Sequence, residues 1–155
     1  MKLFILTVAF FCSFVAFTQV KVYTGSQKIQ SNMIYQIENK IVYRVNNIAS
    51  KIDFMYLDGD KVYMKDRKFF TDIKYTIQNN CFYKGNSTST FDKLFTFKED
   101  KLYIGDSDFS TDCLFTLKDG VVYRGNSTST FDALMSYEVE NPSDLIYVVM
   151  LILPY

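Results

Sequence analysis

The chain has 155 residues, with 17 Lys or Arg balanced by 17 Asp or Glu, and it contains no His. A chain of this length is one domain or one short array. The lack of His excludes Ser-His-Asp and Cys-His catalytic units and imidazole metal sites. A net charge of zero argues against a nucleic-acid partner, which would need a basic surface. We expect no cofactor.

Residues 1–18 predict a signal peptide. Lys2 forms a short basic start, residues 3–17 carry no charge, and the small Thr18 precedes Gln19, the expected first residue of the mature chain. The apolar stretch is shorter than the roughly 20 residues that a membrane-spanning helix needs. We therefore expect a bacterial protein that is secreted, periplasmic or on the cell surface, with no transmembrane span in the mature chain. Cleavage would remove Lys2 and leave 16 basic and 17 acidic residues.

A strict repeat of 20 residues fills the chain from 21 to 140 in six copies without an insertion. Each copy has an apolar residue followed by Tyr, and four copies have Gly two positions later. Copies four and six share Gly-Asn-Ser-Thr-Ser-Thr-Phe-Asp outright, at 85–92 and 125–132. The repeated tyrosines are Tyr23, Tyr43, Tyr63, Tyr83, Tyr103 and Tyr123.

Two short segments per copy, for example 114–117 and 121–125, are rich in β-branched and aromatic residues and predict strands. Residues 19–140 are therefore expected to form an all-β repeat array. A β-solenoid is favoured, because stacked coils tolerate no change of register. The alternative is a set of stacked β-hairpins. Asp119-Gly120 and its equivalents would be their tight turns, with Phe115, Leu117 and Val122 on one face. Either array would need capped ends.

Residues 141–155 differ from the repeats. Asn141 to Asp144 predict a turn, and the apolar stretch 145–153 is too short to span a bilayer. We expect this segment to be a cap, helix or strand, over the open end of the array. Docking to a membrane or a partner is the alternative.

The repeat with Val-Val-Tyr-Arg-Gly-Asn-Ser-Thr-Ser-Thr-Phe-Asp at 121–132 resembles short tandem repeats of exported bacterial proteins. It is similar, more weakly, to the DKNYY repeats, and more loosely to the choline-binding repeats. The last of these use cages of Trp and Tyr, whereas this chain has no Trp. The resemblance covers roughly residues 20–140 and implies a repeat unit without catalytic residues.

Two rows of equivalent residues are candidate sites. The Tyr row is interpreted either as a structural ladder, which we favour, or as a surface that stacks carbohydrate. The Asp row is interpreted as turn-capping carboxylates or, less favoured, as a calcium site or the acid–base groups of a hydrolase. Its members are Asp72, Asp92, Asp112 and Asp132.

Cys81 and Cys113 are the only cysteines of the expected mature chain, and either a disulfide or two free buried thiols fits the sequence. With no catalytic constellation evident, the leading hypothesis is an exported, non-catalytic repeat protein with a structural or surface-binding role. Its partner would be a cell-surface component or another copy of the chain. Binding of carbohydrate or cell wall through the Tyr row is the alternative.

Overall fold

A computed structural model describes residues 19–47, 50–64 and 69–153. The predicted signal peptide, residues 1–18, lies outside the described residues. The described chain forms antiparallel strands, short 3₁₀ turns and a C-terminal helix, α1 (Leu145–Ile152). The strands are β1 (Val20–Thr24), β2 (Met33–Glu38), β3 (Ile41–Asn47), β4 (Ser50–Asp58), β5 (Lys61–Tyr63), β6 (Ile73–Gln78), β7 (Cys81–Lys84), β8 (Lys93–Lys98), β9 (Lys101–Ile104), β10 (Cys113–Lys118), β11 (Val121–Arg124) and β12 (Ala133–Val139).

Tight two-residue turns join β2 to β3, β4 to β5, β6 to β7, β8 to β9 and β10 to β11. In four of these five turns both central residues have positive φ, as at Asn79 and Asn80 (50° and 60°) and at Asp119 and Gly120 (52° and 77°). This is the backbone of a type I′ turn, whose twist matches that of the flanking strands and which Asn, Asp and Gly tolerate best. The expected hairpin turns are therefore present, with Leu117 opposite Val122.

The hairpins close into a ring. Each strand pairs with its neighbours in chain order, and β1 also pairs with β12, through Val20 opposite Val139 and Val22 opposite Tyr137. The twelve strands thus form a closed antiparallel barrel. The all-β repeat prediction is confirmed, but the β-solenoid is wrong, and so is the alternative of stacked hairpins.

The reason for the error is physical. Absence of insertions is expected of stacked coils, but a closed ring restricts repeat length equally, because each hairpin must meet both neighbours in register. Closure also pairs every strand on both sides. The array has no open end to cap, and the open edges that would favour self-association are gone.

Three rows of apolar side chains line the inner face. Val122 lies opposite both Leu117 and Met135, and directly opposed residues of an antiparallel pair point to the same face. The same pairing recurs around the ring, and the rows belong to a single hydrophobic cluster. The rows are Val22, Val42, Val62, Phe82, Leu102 and Val122; Ile37, Leu57, Ile77, Phe97, Leu117 and Tyr137; and Tyr35, Met55, Tyr75, Phe95, Phe115 and Met135.

Helix α1 fills the space inside the ring. Its residues Val148, Val149, Met150 and Leu151 are consecutive and at most 2% exposed, so every side of the helix is covered. They belong to the same cluster as the inner rows. An eight-stranded barrel is just filled by its own side chains, so twelve strands leave room for a helix. The C-terminal segment therefore contains a helix that packs against the inner rows of the barrel.

No helix in the described ranges is long and apolar enough to cross a membrane.

We predict that Met150→Ala lowers the free energy of unfolding by about 2–5 kcal/mol, because the fully buried Met150 would leave a cavity between α1 and the barrel wall. Urea unfolding followed by circular dichroism measures the change. The matched control is Phe131→Ala, since Phe131 is 98% exposed and should shift stability by no more than about 0.5 kcal/mol. Equal effects of the two substitutions would contradict the placement of α1 inside the barrel.

Candidate functional site

The Tyr row lies on the outer face of the barrel. Tyr83 and Tyr123 sit opposite Thr76 and Thr116, whose side chains do not face the inner rows. Each of these threonines donates a hydrogen bond of 2.7 Å to a carbonyl oxygen in the loop that follows the Tyr, at Gly85 and Gly125. The loops are thereby tied back against the outer face, next to the tyrosines.

The six tyrosines are unequally accessible. Tyr23, Tyr83 and Tyr103 are buried at 4–8% exposure, whereas Tyr43, Tyr63 and Tyr123 are half-buried. Nζ of Lys51 lies 5.5 Å from the ring centroid of Tyr43. Burial of Tyr23, Tyr83 and Tyr103 interrupts the row as a stacking surface. Carbohydrate binding through the Tyr row stays a prediction that this geometry does not favour.

Tyr23 has the most perturbed environment of the row. Burial, a hydrogen bond of 2.8 Å donated to Oε2 of Glu138, and the charge of Glu138 together raise the pKa of Tyr23 to about 12. All three causes disfavour the phenolate, since its charge would be buried beside a carboxylate. The contact joins β1 to the neighbouring strand β12, so it lies at the closure of the ring.

Because the folded-state pKa of Tyr23 lies above the ordinary value of 10, stability is unaffected at low pH and falls as the pH rises from 10 towards about 12. We predict that Glu138→Gln moves the pKa of Tyr23 part of the way back, since burial, the largest cause, remains. The tyrosinate absorbance of each variant, minus that of its Tyr23→Phe counterpart, isolates the titration. The control is Glu140→Gln, which removes an exposed neighbouring charge. Wild-type ionisation of Tyr23 near pH 10 would contradict the prediction.

The Asp row lies in the loops between hairpins, at the ends of 3₁₀ turns. Oδ2 of Asp92, Asp112 and Asp132 accepts a hydrogen bond of 2.5–2.6 Å from the serine five residues earlier, Ser87, Ser107 or Ser127. Each serine oxygen also accepts a bond from the backbone N–H two residues on. The carboxylate therefore stabilises the loop through a serine, and not by accepting backbone N–H bonds directly.

Asp72 occupies the same place in its turn, Phe70–Asp72. The position five residues earlier, 67, is Arg and lies outside the described residues. Within the described ranges, no three Cys, Asp or Glu side chains come together as a metal site. Calcium binding and hydrolase chemistry by this row stay predictions that nothing here tests.

We predict that Asp112→Ala costs about 1 kcal/mol of stability, since it removes a charge-assisted bond in a partly exposed loop. Asp72→Ala, which removes a carboxylate with no serine at the corresponding position, should cost less. Thermal unfolding of both variants, with and without added calcium, makes the comparison. A calcium-dependent rise in melting temperature that Asp112→Ala abolishes would instead establish the metal hypothesis.

Cys81 and Cys113 are both buried and both free. They lie on β7 and β10, which are not neighbours in the barrel. Sγ of Cys113 donates to the carbonyl oxygen of Phe115 at 3.4 Å, and Sγ of Cys81 lies 3.8 Å from Oγ1 of Thr96. Of the two alternatives, the structure has the free thiols.

A set of exposed phenylalanines lies in the 3₁₀ turns at the ends of the loops, or directly before those turns. Phe91 and Phe131 are 98% exposed, Phe70 and Phe109 are 71% exposed, and Phe69 is 58% exposed. Oγ of Ser89 and of Ser129 accepts the backbone N–H of Phe91 and of Phe131, which fixes these two tips. We call these five residues the rim aromatics.

Sequence reasoning missed the rim aromatics, because Phe91 and Phe131 were read as part of the repeat pattern. The available signal was that each is the only apolar side chain in Gly-Asn-Ser-Thr-Ser-Thr-Phe-Asp. Isolated exposed apolar residues are normal on a protein surface. Nearly complete exposure of a Phe at the same place in two repeats is less ordinary, and it makes the rim aromatics the best candidate contact surface.

Fold and surface together define a class of protein: a closed barrel of six hairpin repeats with an apolar interior and its variable loops outside. A family model described as a 6-fold beta flower protein matches residues 46–144, more than half of the chain. The chain belongs to the 6-fold beta flower protein family, which is a family of tandem repeats. No match was found among the curated proteins or among the solved structures.

Proposed function

We propose that the protein is an exported, non-catalytic binding module that attaches to a component of the cell envelope through its rim aromatics. The nearly complete exposure of Phe91 and Phe131 carries the proposal. Leaving a Phe side chain in water costs roughly 1.5–3 kcal/mol of free energy relative to burying it. A partner that covers Phe91 and Phe131 would recover this free energy, which accounts for their exposure in the unbound protein.

The composition of the loop tips supports the same proposal. Thr88, Ser89, Thr90 and their equivalents in copy six place short uncharged side chains directly before the phenylalanines, and the Asp that follows each Phe is hydrogen-bonded to a serine of the loop. Depletion of charge around an aromatic anchor is typical of the centre of a protein interface. The partner is therefore a surface with apolar pockets and not a charged polymer.

The interior supports a non-catalytic role. The inner face, where a barrel would hold a small molecule, is occupied by α1. Export is supported by the N-terminal sequence, residues 1–18, and by the resemblance of the repeats to those of exported bacterial proteins. Mass spectrometry of the protein secreted by a Gram-negative host tests the export step directly, with a mature chain that begins at Gln19 as the expected result.

The binding step is tested with the triple variant Phe91→Ser, Phe109→Ser and Phe131→Ser. Purified protein is mixed with washed bacterial envelopes, and the sedimenting fraction is measured. We expect the wild type to sediment and the triple variant to lose about tenfold in apparent affinity, which corresponds to about 1.4 kcal/mol in total. The melting temperature should be unchanged, since all three side chains are exposed.

The matched control is Thr90→Ala with Thr130→Ala, which alters exposed neighbours of Phe91 and Phe131 in the same loops. It should sediment like the wild type. Equal sedimentation of the wild type and the triple variant would refute the rim aromatics as the contact surface.

A further inference from the structure

One end of the barrel, where the loops and 3₁₀ turns emerge, carries a last row of inward-facing residues. Arg44 lies opposite Tyr35, Lys84 opposite Tyr75, and Arg124 opposite Phe115. Directly opposed residues share a face of the sheet, and the three aromatic residues belong to the inner cluster. Arg44, Lys84 and Arg124 therefore start from the lumen side of the wall, each two residues beyond the inner-row residue of the same strand. We call this end the loop-side mouth.

The cations alternate with uncharged residues around the mouth. Arg44, Lys84 and Arg124 are each 40 residues apart, and Met64 and Ile104 lie midway between them. Thr24 completes the row. Since two of six repeats separate neighbouring cations, they stand one third of a turn apart around the barrel axis. Their side chains therefore start from the inner face at three evenly spaced points of the ring.

These three cations have no acidic partner in the described part of the chain. All three are exposed, and within the described residues none takes part in an ion pair, whereas Lys51, Lys61 and Lys93 each pair with a carboxylate elsewhere. Grouped cations without counter-charges repel one another, at a cost that an anion bound between them would remove.

The floor of the mouth is apolar. Tyr35, Phe95 and Phe115 are half-buried and pack against the inner cluster, and α1 occupies the space inside the barrel. A ligand held here would stay in the mouth, in contact with the cations, and would not enter the lumen. Arg side chains suit phosphate because the guanidinium donates two parallel hydrogen bonds, and each phosphate group can bring close to two negative charges.

We propose that the loop-side mouth is a binding site for a ligand with several phosphate groups, held by Arg44, Lys84 and Arg124. The site is separate from the rim aromatics, and its ligand is recognised by charge. Three cations around one axis bind two or three linked phosphates at once, and a single phosphate reaches fewer of them.

The test is calorimetric titration of the full mature chain with tripolyphosphate, orthophosphate and citrate at low ionic strength. Tripolyphosphate should bind at least about tenfold more tightly than orthophosphate and than citrate, and added salt should weaken it. Arg44→Gln with Arg124→Gln should weaken tripolyphosphate at least about tenfold. Lys98→Gln with Lys118→Gln removes the same charge from exposed residues beside the hairpin turns and should leave binding unchanged.

Sedimentation with vesicles distinguishes the sources of the phosphate. If phosphatidylglycerol vesicles carry the wild type down, phosphatidylcholine vesicles do not, and the Arg variant stays in solution, the source is a lipid headgroup. Binding of tripolyphosphate without vesicle binding assigns a free solute. Binding of neither, citrate as tight as tripolyphosphate, or equal losses in the Arg and Lys variants would overturn the proposal. The triple Phe variant should still bind tripolyphosphate. A negative result in the envelope experiment would therefore not affect this proposal.

Discussion

The pairing of β1 with β12 is the contact on which the architecture depends. It joins residues 20–24 to residues 135–139, so the first and last strands of the barrel must meet before either is fully paired. Without it the sheet would have two open edges and the inner rows would be open to water. With it, six hairpins share one interior, and the sheet encloses a helix that no single hairpin could cover.

Much of the local structure could be predicted from the sequence, because it depends on neighbouring residues. Asp119-Gly120 indicates a hairpin turn because both residues must adopt positive φ, and the alternation of Phe115, Leu117 and Val122 places them on one face. Those inferences concern neighbours in the chain, where turn type and period decide the geometry. The repeat period was equally visible, because 20-residue spacing holds without exception across the six tyrosines.

Closure of the barrel could not be predicted from the sequence, for a physical reason. Val20 and Val139 have the same local sequence signals whether the hairpins stack or join edge to edge, because the choice is made by contacts more than 100 residues apart. The apolar stretch of α1 predicts burial but does not say against what. Which tyrosines of the row are buried and which are half-buried depends on how the loops fold back, and Phe91 stands out only once its exposure is known.

Within each repeat, the strand residues fill the core and the loop residues determine the surface. Strand positions of the three inner rows vary only among aliphatic and aromatic side chains, because each must fill its share of one core. Loop positions vary from Thr-Ser-Thr in copy four to Asp-Phe-Ser in copy five, while the serine and aspartate that brace the turn persist in both. The wall is thus uniform, and differences in the surface arise from a few loop residues.

The helix inside the barrel sets a lower limit on the number of repeats that a gene for this fold can encode. The identical stretches at 85–92 and 125–132 lie 40 residues apart, so recombination between them would delete two whole repeats in frame. The product would have eight strands, and a barrel of that size is already filled by its own side chains. Its α1 would be expelled, with nine consecutive apolar residues left in water. Because the barrel must enclose α1, a deletion of two repeats would give an unstable product. The size of one short helix therefore disfavours loss of repeats from the array.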